Sequence, residues 1–298
     1  MNTLAIISPL AIIALLGFIS VKVKFLSKSQ IDVLSTICFN LLIPLFLFKT
    51  TYQTDLSAQV SLPWFGAFYI PVVSYFLVIY LFCKMNNKNN AKSALQALTA
   101  SYSNTVLIAI PIITFYLSEQ SAGRAFVLIA FHSAILFSLT EIFVNNTGYK
   151  TLLKTLKNPI VLSILAGLSC NVLNIPIPNL ILEPMSKLSQ SAIALALFGL
   201  GASMYFLPIK GNRLSATGFA LAKLFILPLL TYLLASYCLP LNSEQIFIAV
   251  LLVASPTGVG AYIMAKKYQQ SEQTAASTVV ISTLLSPISY FIWIEILI

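Results

Sequence analysis

The sequence predicts an all-α, polytopic membrane protein, and three observations carry that reading. Only 8% of its 298 residues are charged, where a soluble domain carries roughly 25%. Hydrophobic residues make up 58%, and mean hydropathy is +0.92. The apolar residues gather in runs of about 20, the length that crosses the hydrocarbon of a bilayer. A water-soluble globule of this size could not cover so much apolar surface. A helix that is apolar all round is stable where lipid surrounds it.

Ten segments qualify as transmembrane helices: Thr3–Val21, Asp32–Phe48, Trp64–Phe82, Ser93–Leu117, Arg124–Phe143, Pro159–Leu173, Ser186–Phe206, Ala216–Tyr237, Glu244–Ala265 and Ala275–Leu297. The first is expected to be a permanent helix. No positive charge precedes it and no small-residue cleavage pattern closes it. The gaps leave no room for a soluble domain. The longest are Lys84–Lys92, Asn145–Lys157 and Asn174–Lys187. The middle gap divides the chain into residues 1–148 and 149–298, with five segments in each.

Charge sets the orientation. One set of alternate gaps holds Lys22, Lys24, Lys28, Lys84, Lys88, Lys92, Lys150, Lys154, Lys157, Lys210, Arg213, Lys266 and Lys267, which is 13 of the 17 basic residues. The opposite set holds Lys49, Arg124 and Lys187, and Lys223 lies inside a segment. The positive-inside rule puts the first set in the cytoplasm of a bacterial inner membrane and both termini outside. The net charge of +9 is thereby accounted for, with no basic face or stacking motif for nucleic acid. The four cysteines, Cys38, Cys83, Cys170 and Cys238, show no metal or disulfide spacing and are expected to be buried apolar thiols.

Five helices per half give the second half the opposite polarity, so an inverted repeat should leave matches at one offset. Ser118-Glu119-Gln120-Ser121-Ala122 and Ser271-Glu272-Gln273-Thr274-Ala275 match at an offset of 153. Leu34-Ser35 matches Leu188-Ser189, and Glu141 matches Glu295, both at 154. Two similar bundles of opposite polarity can exchange conformations and open a central site to each side in turn. That implies a carrier.

The fourth and ninth segments are expected to be broken at their crossing. The fourth reads Ser101-Tyr102-Ser103-Asn104-Thr105 and reaches Pro111; the ninth reads Ser255-Pro256-Thr257-Gly258-Val259-Gly260-Ala261-Tyr262. Proline removes a backbone donor and glycine relaxes the helix. A broken helix survives in a membrane only where protein or a water-filled cavity covers it. Two half-helix N-termini would present free N–H groups and partial positive charge, which suit an anion. Asn104, Thr105 and Thr257 could add hydrogen bonds to a carboxylate. Pro44, Pro71, Pro228 and Pro287 are read as simple kinks. Lys223, near mid-depth of the eighth segment, is expected to compensate a bound anion or pair with a carboxylate. His132 is a proton relay or a structural histidine. Glu141 and Glu295 are expected at the interface, in contact with solvent.

At these residues the chain resembles the auxin efflux carrier family, which includes plant PIN proteins and bacterial malonate and malate permeases. The resemblance spans the whole chain. Its most specific parts are Ser103-Asn104-Thr105 with Ile110-Pro111, and Ser255-Pro256-Thr257-Gly258 running on to Ala261-Tyr262 and Ala265-Lys266-Lys267-Tyr268. Leu42-Ile43-Pro44-Leu45 and Lys223 with Leu227-Pro228-Leu229 add weaker support. Ala109 stands where many members have glycine, and Gly260 where many have asparagine.

The resemblance implies two inverted five-helix repeats, like the sodium/proton antiporter and bile-acid transporter folds. Spans one, two, six and seven would form a scaffold. Spans three to five and eight to ten would form a mobile domain that shifts like an elevator. It implies a small organic anion at Asn104, Thr105, Pro111, Pro256, Thr257, Gly258 and Tyr262, with Lys223 and His132 in coupling or charge compensation. No cofactor and no metal site is expected, proton or sodium coupling is open, and a homodimer is allowed.

A sodium-coupled symporter of the bile-acid type is the near alternative, and would need a cluster of buried oxygen ligands. A channel would not need inverted broken helices. A membrane enzyme would need paired acids or a histidine set, and the chain has one histidine. An ATP-driven pump would need a P-loop, which the sequence lacks.

Overall fold

Helix occupies most of every apolar segment of the sequence. The computed structural model describes residues 3–54, 61–87, 89–117, 119–145, 150, 153, 157–208 and 213–298. Lys88, Ser118, Lys154, Lys210 and the boundary at 148/149 lie outside the described residues, and for Glu119–Ala122 the backbone alone is described. The helices are α1 (Thr3–Lys22), α2 (Lys28–Tyr52), α3 (Leu62–Asn87), α4 (Asn90–Ser101), α5 (Thr105–Tyr116), α6 (Glu119–Ile129), α7 (His132–Asn145), α8 (Pro159–Val172), α9 (Asn179–Gln190), α10 (Ala192–Met204), α11 (Arg213–Tyr237), α12 (Ser243–Ala254), α13 (Val259–Lys267) and α14 (Glu272–Leu297). No strand occurs among the described residues, and one isolated β-bridge joins Ser103 to Thr257.

The helix starts follow local chemistry. Ser27 with Gln30, and Asn242 with Gln245, form capping boxes at α2 and α12. Asn89 and Asn158 cap α4 and α8, the latter with Pro159 in the first turn, where its missing N–H costs nothing. Among the described residues, five helical spans are long and apolar enough to cross a membrane by length and composition: Lys28–Tyr52, Leu62–Asn86, Gly123–Asn145 (α6 and α7 with the turn that joins them), Arg213–Tyr237 and Glu272–Leu297. Large apolar side chains such as Leu15, Leu16, Val78, Leu81, Leu284 and Ile288 stand exposed on the helices. That surface suits lipid.

Two interruptions have no signal in the sequence. The fifth segment is divided at Ala130–Phe131 and the seventh at Ser191. Neither place carries proline or glycine.

The chain divides into two compact units. The first comprises Met1–Gln59, Ile110–Phe131 and Lys154–Phe206. In it α1 and α10 approach so closely that a Cβ at Gly17 would meet the carbonyl of Phe198, and one at Gly201 the carbonyl of Ala14. Small residues at such crossings let backbones gain dispersion contacts that larger ones would prevent. Asn171 of α8 donates to the carbonyls of Tyr52 (2.6 Å) and Thr54 (2.8 Å), which closes the C-terminal end of α2.

The second unit comprises Val60–Ala109, His132–Leu153 and Leu207–Ile298. Its core holds Trp64, Phe68, Leu95, Leu98, Leu251 and Tyr290. The Trp64 indole N–H donates to the carbonyl of Gln245 at 3.0 Å and ties α3 to α12.

Candidate functional site

Helix α4 ends at Ser101 and α5 begins at Thr105, while α12 ends at Ala254 and α13 begins at Val259. Between them lie two extended stretches in the second unit, and they pair with each other. The Asn104 N–H donates to the Pro256 carbonyl at 2.8 Å, and the Gly258 N–H donates to the Tyr102 carbonyl at 3.0 Å. This antiparallel bridge satisfies backbone groups that each broken helix would otherwise leave unpaired. Away from water, each such orphan costs about 1–3 kcal/mol.

Neighbouring helices meet the remaining needs. The Ser103 N–H donates to His132 Nε2 at 3.1 Å. That nitrogen therefore accepts, and the ring carries its proton on Nδ1. The Thr257 N–H donates to Ser282 Oγ at 3.0 Å, and its hydroxyl donates to the Thr99 carbonyl at 3.0 Å. Ser255 Oγ and the Tyr290 hydroxyl are 2.8 Å apart.

Lys223 is fully buried. Its ammonium donates to the carbonyl of Ser255 at 2.8 Å and to that of Val253. It therefore sits at the C-terminal end of α12, where the aligned peptide dipoles leave partial negative charge. Its charge offsets that end and leaves the N-terminal end of α13 as the positive pole of the break. The sequence placed Lys223 in the right region, but its donors meet backbone carbonyls rather than a side-chain carboxylate.

Tyr102 links the two breaks. Its ring stacks on His132, with centroids 5.2 Å apart and planes 9° from parallel, and lies 4.9 Å from Phe137. Its hydroxyl is 2.7 Å from Ser133 Oγ. A Cβ on Gly258 would come 2.6 Å from its Cε1, and one on Gly260 would come 2.8 Å from the same atom. Only glycine leaves room for the ring at both places.

The predicted site residues thus part company. Asn104, Thr105, Pro256, Thr257, Gly258, His132 and Lys223 all belong to the second unit and lie at or beside the paired breaks. Pro111 does not. It lies within α5, seven residues past the first break and in the first unit, and it follows a π-helical stretch, Thr105–Ala109. The wider turn absorbs the missing N–H, so the helix runs through this proline. Tyr262 lies one turn into α13, and its hydroxyl is engaged with Glu272 at 3.4 Å.

Glu141 overturns another expectation. It is 2% exposed and bonds Lys267 at 2.6 Å. The lysine at the end of α13 supplies the countercharge that makes burial tolerable. Cys238 is exposed and Cys170 half-buried, so only Cys38 and Cys83 are the buried thiols expected.

Tyr102 and Ser282 were missed as site residues. Ser282 had a readable signal. Ser282, Ser286 and Ser289 recur at helical spacing on one buried face of the otherwise apolar α14.

Comparison with known proteins decides the family. The family described as "Membrane transport protein" matches residues 4–148 and 139–294. The chain belongs to this family, that of the auxin efflux carriers. A provisionally named malonate transporter of Rhizobium meliloti (strain 1021) is 24% identical over 285 residues, covering 91% of this chain and 88% of that protein. An uncharacterized transporter of Methanothermobacter thermautotrophicus is 21% identical over 292 residues, 95% of this chain and 94% of its own. Auxin efflux carrier component 1 of Arabidopsis thaliana is 30% identical over 149 residues, which is 47% of this chain and 24% of the plant protein. Membership in the auxin efflux carrier family, with its several apolar helices, makes the chain a multi-pass membrane transport protein. Its departure at Gly260 now has a physical content: the Tyr102 and Phe137 rings fill the space a side chain there would take.

Proposed function

We propose that this protein is a secondary carrier for a small organic anion, which binds at the paired breaks of the second unit. The observation that carries the proposal is the mutual pairing of the two breaks, with Lys223 holding the C-terminal end of α12. The N-terminal ends of α5 and α13 then lie at one bridge with the negative end of α12 offset by a cation, an arrangement whose potential favours an anion. The malonate and auxin named for its relatives are anions of this class.

In this reading the chain forms ten transmembrane helices in two inverted repeats, residues 1–148 and 149–298. Spans one, two, six and seven serve as scaffold, and the rest move like an elevator. The matched Glu119 and Glu272 both open helices, which supports the repeat. The protein sits in the cytoplasmic membrane with both termini outside, driven by the anion's own gradient or by protons or sodium. His132 and Lys223 position the breaks and set their charge, and a homodimer suits the exposed apolar faces.

The test is uptake of labelled malate, malonate and indole-acetate into proteoliposomes under imposed proton, sodium or potential gradients. Saturable flux of one anion is expected. Asn104→Ala should abolish it while membrane insertion and melting temperature stay unchanged. Wild-type flux in that variant would remove Asn104 from the site.

A further inference from the structure

The two breaks differ in what their side chains still have to offer. In the second, every polar side chain is engaged: Ser255 with Tyr290, and Thr257 with Thr99. The Gly258 N–H is taken by the Tyr102 carbonyl, and the Tyr102 ring packs against Gly258, the residue that precedes α13, and against Gly260 in its first turn. In the first break the situation is reversed. Ser103 Oγ is buried and has no partner, and neither has Nδ1 of the His132 ring that holds the Ser103 N–H. Among the described residues, neither the half-buried Asn104 amide nor the hydroxyl of Thr105, 5% exposed, makes a hydrogen bond. Buried polar groups are normally paired, and a cluster left open at one place is where a ligand can repay them.

We propose that Tyr102 is the specificity-determining residue of the crossover: it covers the helix end at α13 and leaves the open donors gathered at the first break, on Ser103, Asn104 and Thr105 with His132 Nδ1 beside them, so the carrier selects monocarboxylates over dicarboxylates. This rests on the crossover being the substrate site. One open cluster of amide and hydroxyl donors beside one uncovered helix end matches one carboxylate. A second carboxylate on the same small molecule would meet the Tyr102 ring and lose its water with no donor in exchange. The ring is held for this task on three sides, by the stack on His132, by Phe137 and by the hydroxyl contact to Ser133.

The measurement is ligand-induced thermal stabilisation of the purified full chain by acetate, indole-acetate, malonate and malate, with uptake of the same anions into proteoliposomes. The wild type is expected to bind a monocarboxylate at least roughly tenfold more tightly than either dicarboxylate. Tyr102→Ala uncovers the α13 end and should shrink that ratio by roughly tenfold. Gly260→Ala should act in the same direction, because its Cβ drives the ring away without altering Tyr102. Tyr102→Phe keeps the ring and should keep the order of preference. A wild type that prefers malonate or malate overturns the inference, whatever the variants do. So does an unchanged ratio in Tyr102→Ala or Gly260→Ala when their melting profiles show them folded. Selective binding without gradient-dependent flux would overturn the carrier reading and leave the role of Tyr102 standing, whereas binding of none of the four anions overturns both.

Discussion

Proline-bearing helices of two kinds stand side by side in this molecule. Helix α11 contains Pro228 and runs on without a break, whereas the chain around Pro256 opens into an extended stretch. In α11 a π-helical stretch, Ala222–Ile226, precedes the proline. Pro228 cannot donate to Leu224, and that carbonyl instead accepts from Ser289 Oγ and the Trp293 indole, both at 2.9 Å. The helix α2 passes Pro44 in the same way after its own π-helical stretch, Cys38–Leu42. At Pro256 the ladder is abandoned altogether, and the opposite break takes over its hydrogen bonds. The difference teaches that proline does not by itself open a helix in this fold. The first break, Tyr102 to Asn104, contains neither proline nor glycine. Each break forms where the other lies opposite to pair with it, and at the second a cation also holds the loose carbonyls.

Three substitutions test that contrast. Lys223→Met should have the largest effect. It leaves the carbonyls of Val253 and Ser255 buried without donors, a loss of about 2–4 kcal/mol. A clearly lower melting temperature in detergent is expected, together with loss of uptake, and an unchanged melt would mean the second break does not depend on its cation. Gly258→Ala comes next. Its Cβ would press on Cε1 and Cδ1 of Tyr102 and force the two breaks apart, at about 1–3 kcal/mol. Uptake should fall more than stability, because the bridge is the proposed site. Pro228→Ala should have the smallest effect, within about 0.5 kcal/mol, since Leu224 already has two other donors. A drop as large as that of Gly258→Ala would erase the distinction between the two kinds of proline.

Much of the site was legible because its residues violate the rules of an apolar helix. Asn104, Thr257 and Gly258 stand out in runs that are otherwise hydrophobic, and Lys223 is a charge far from either end of its segment. Pro111 was misread for the opposite reason. It looks like a helix breaker in one dimension, but a widened turn absorbs it. Tyr102 was invisible as a site residue, because an aromatic residue in a membrane helix is ordinary. Its role arises only from Gly258, Gly260, His132 and Phe137, which are distant in the chain and meet around its ring.

By itself the sequence determined that this is a helical, multi-pass membrane protein, and where its helices are unlike the rest. Composition and hydropathy suffice for that, because transfer of apolar length into lipid is a local property of each segment. Only the tertiary structure decided which break pairs with which, what Lys223 holds, that Glu141 is buried against Lys267, and which polar side chains stay open. Those are questions of partners. A hydrogen-bond partner far along the chain is set by packing, which no single stretch of sequence encodes.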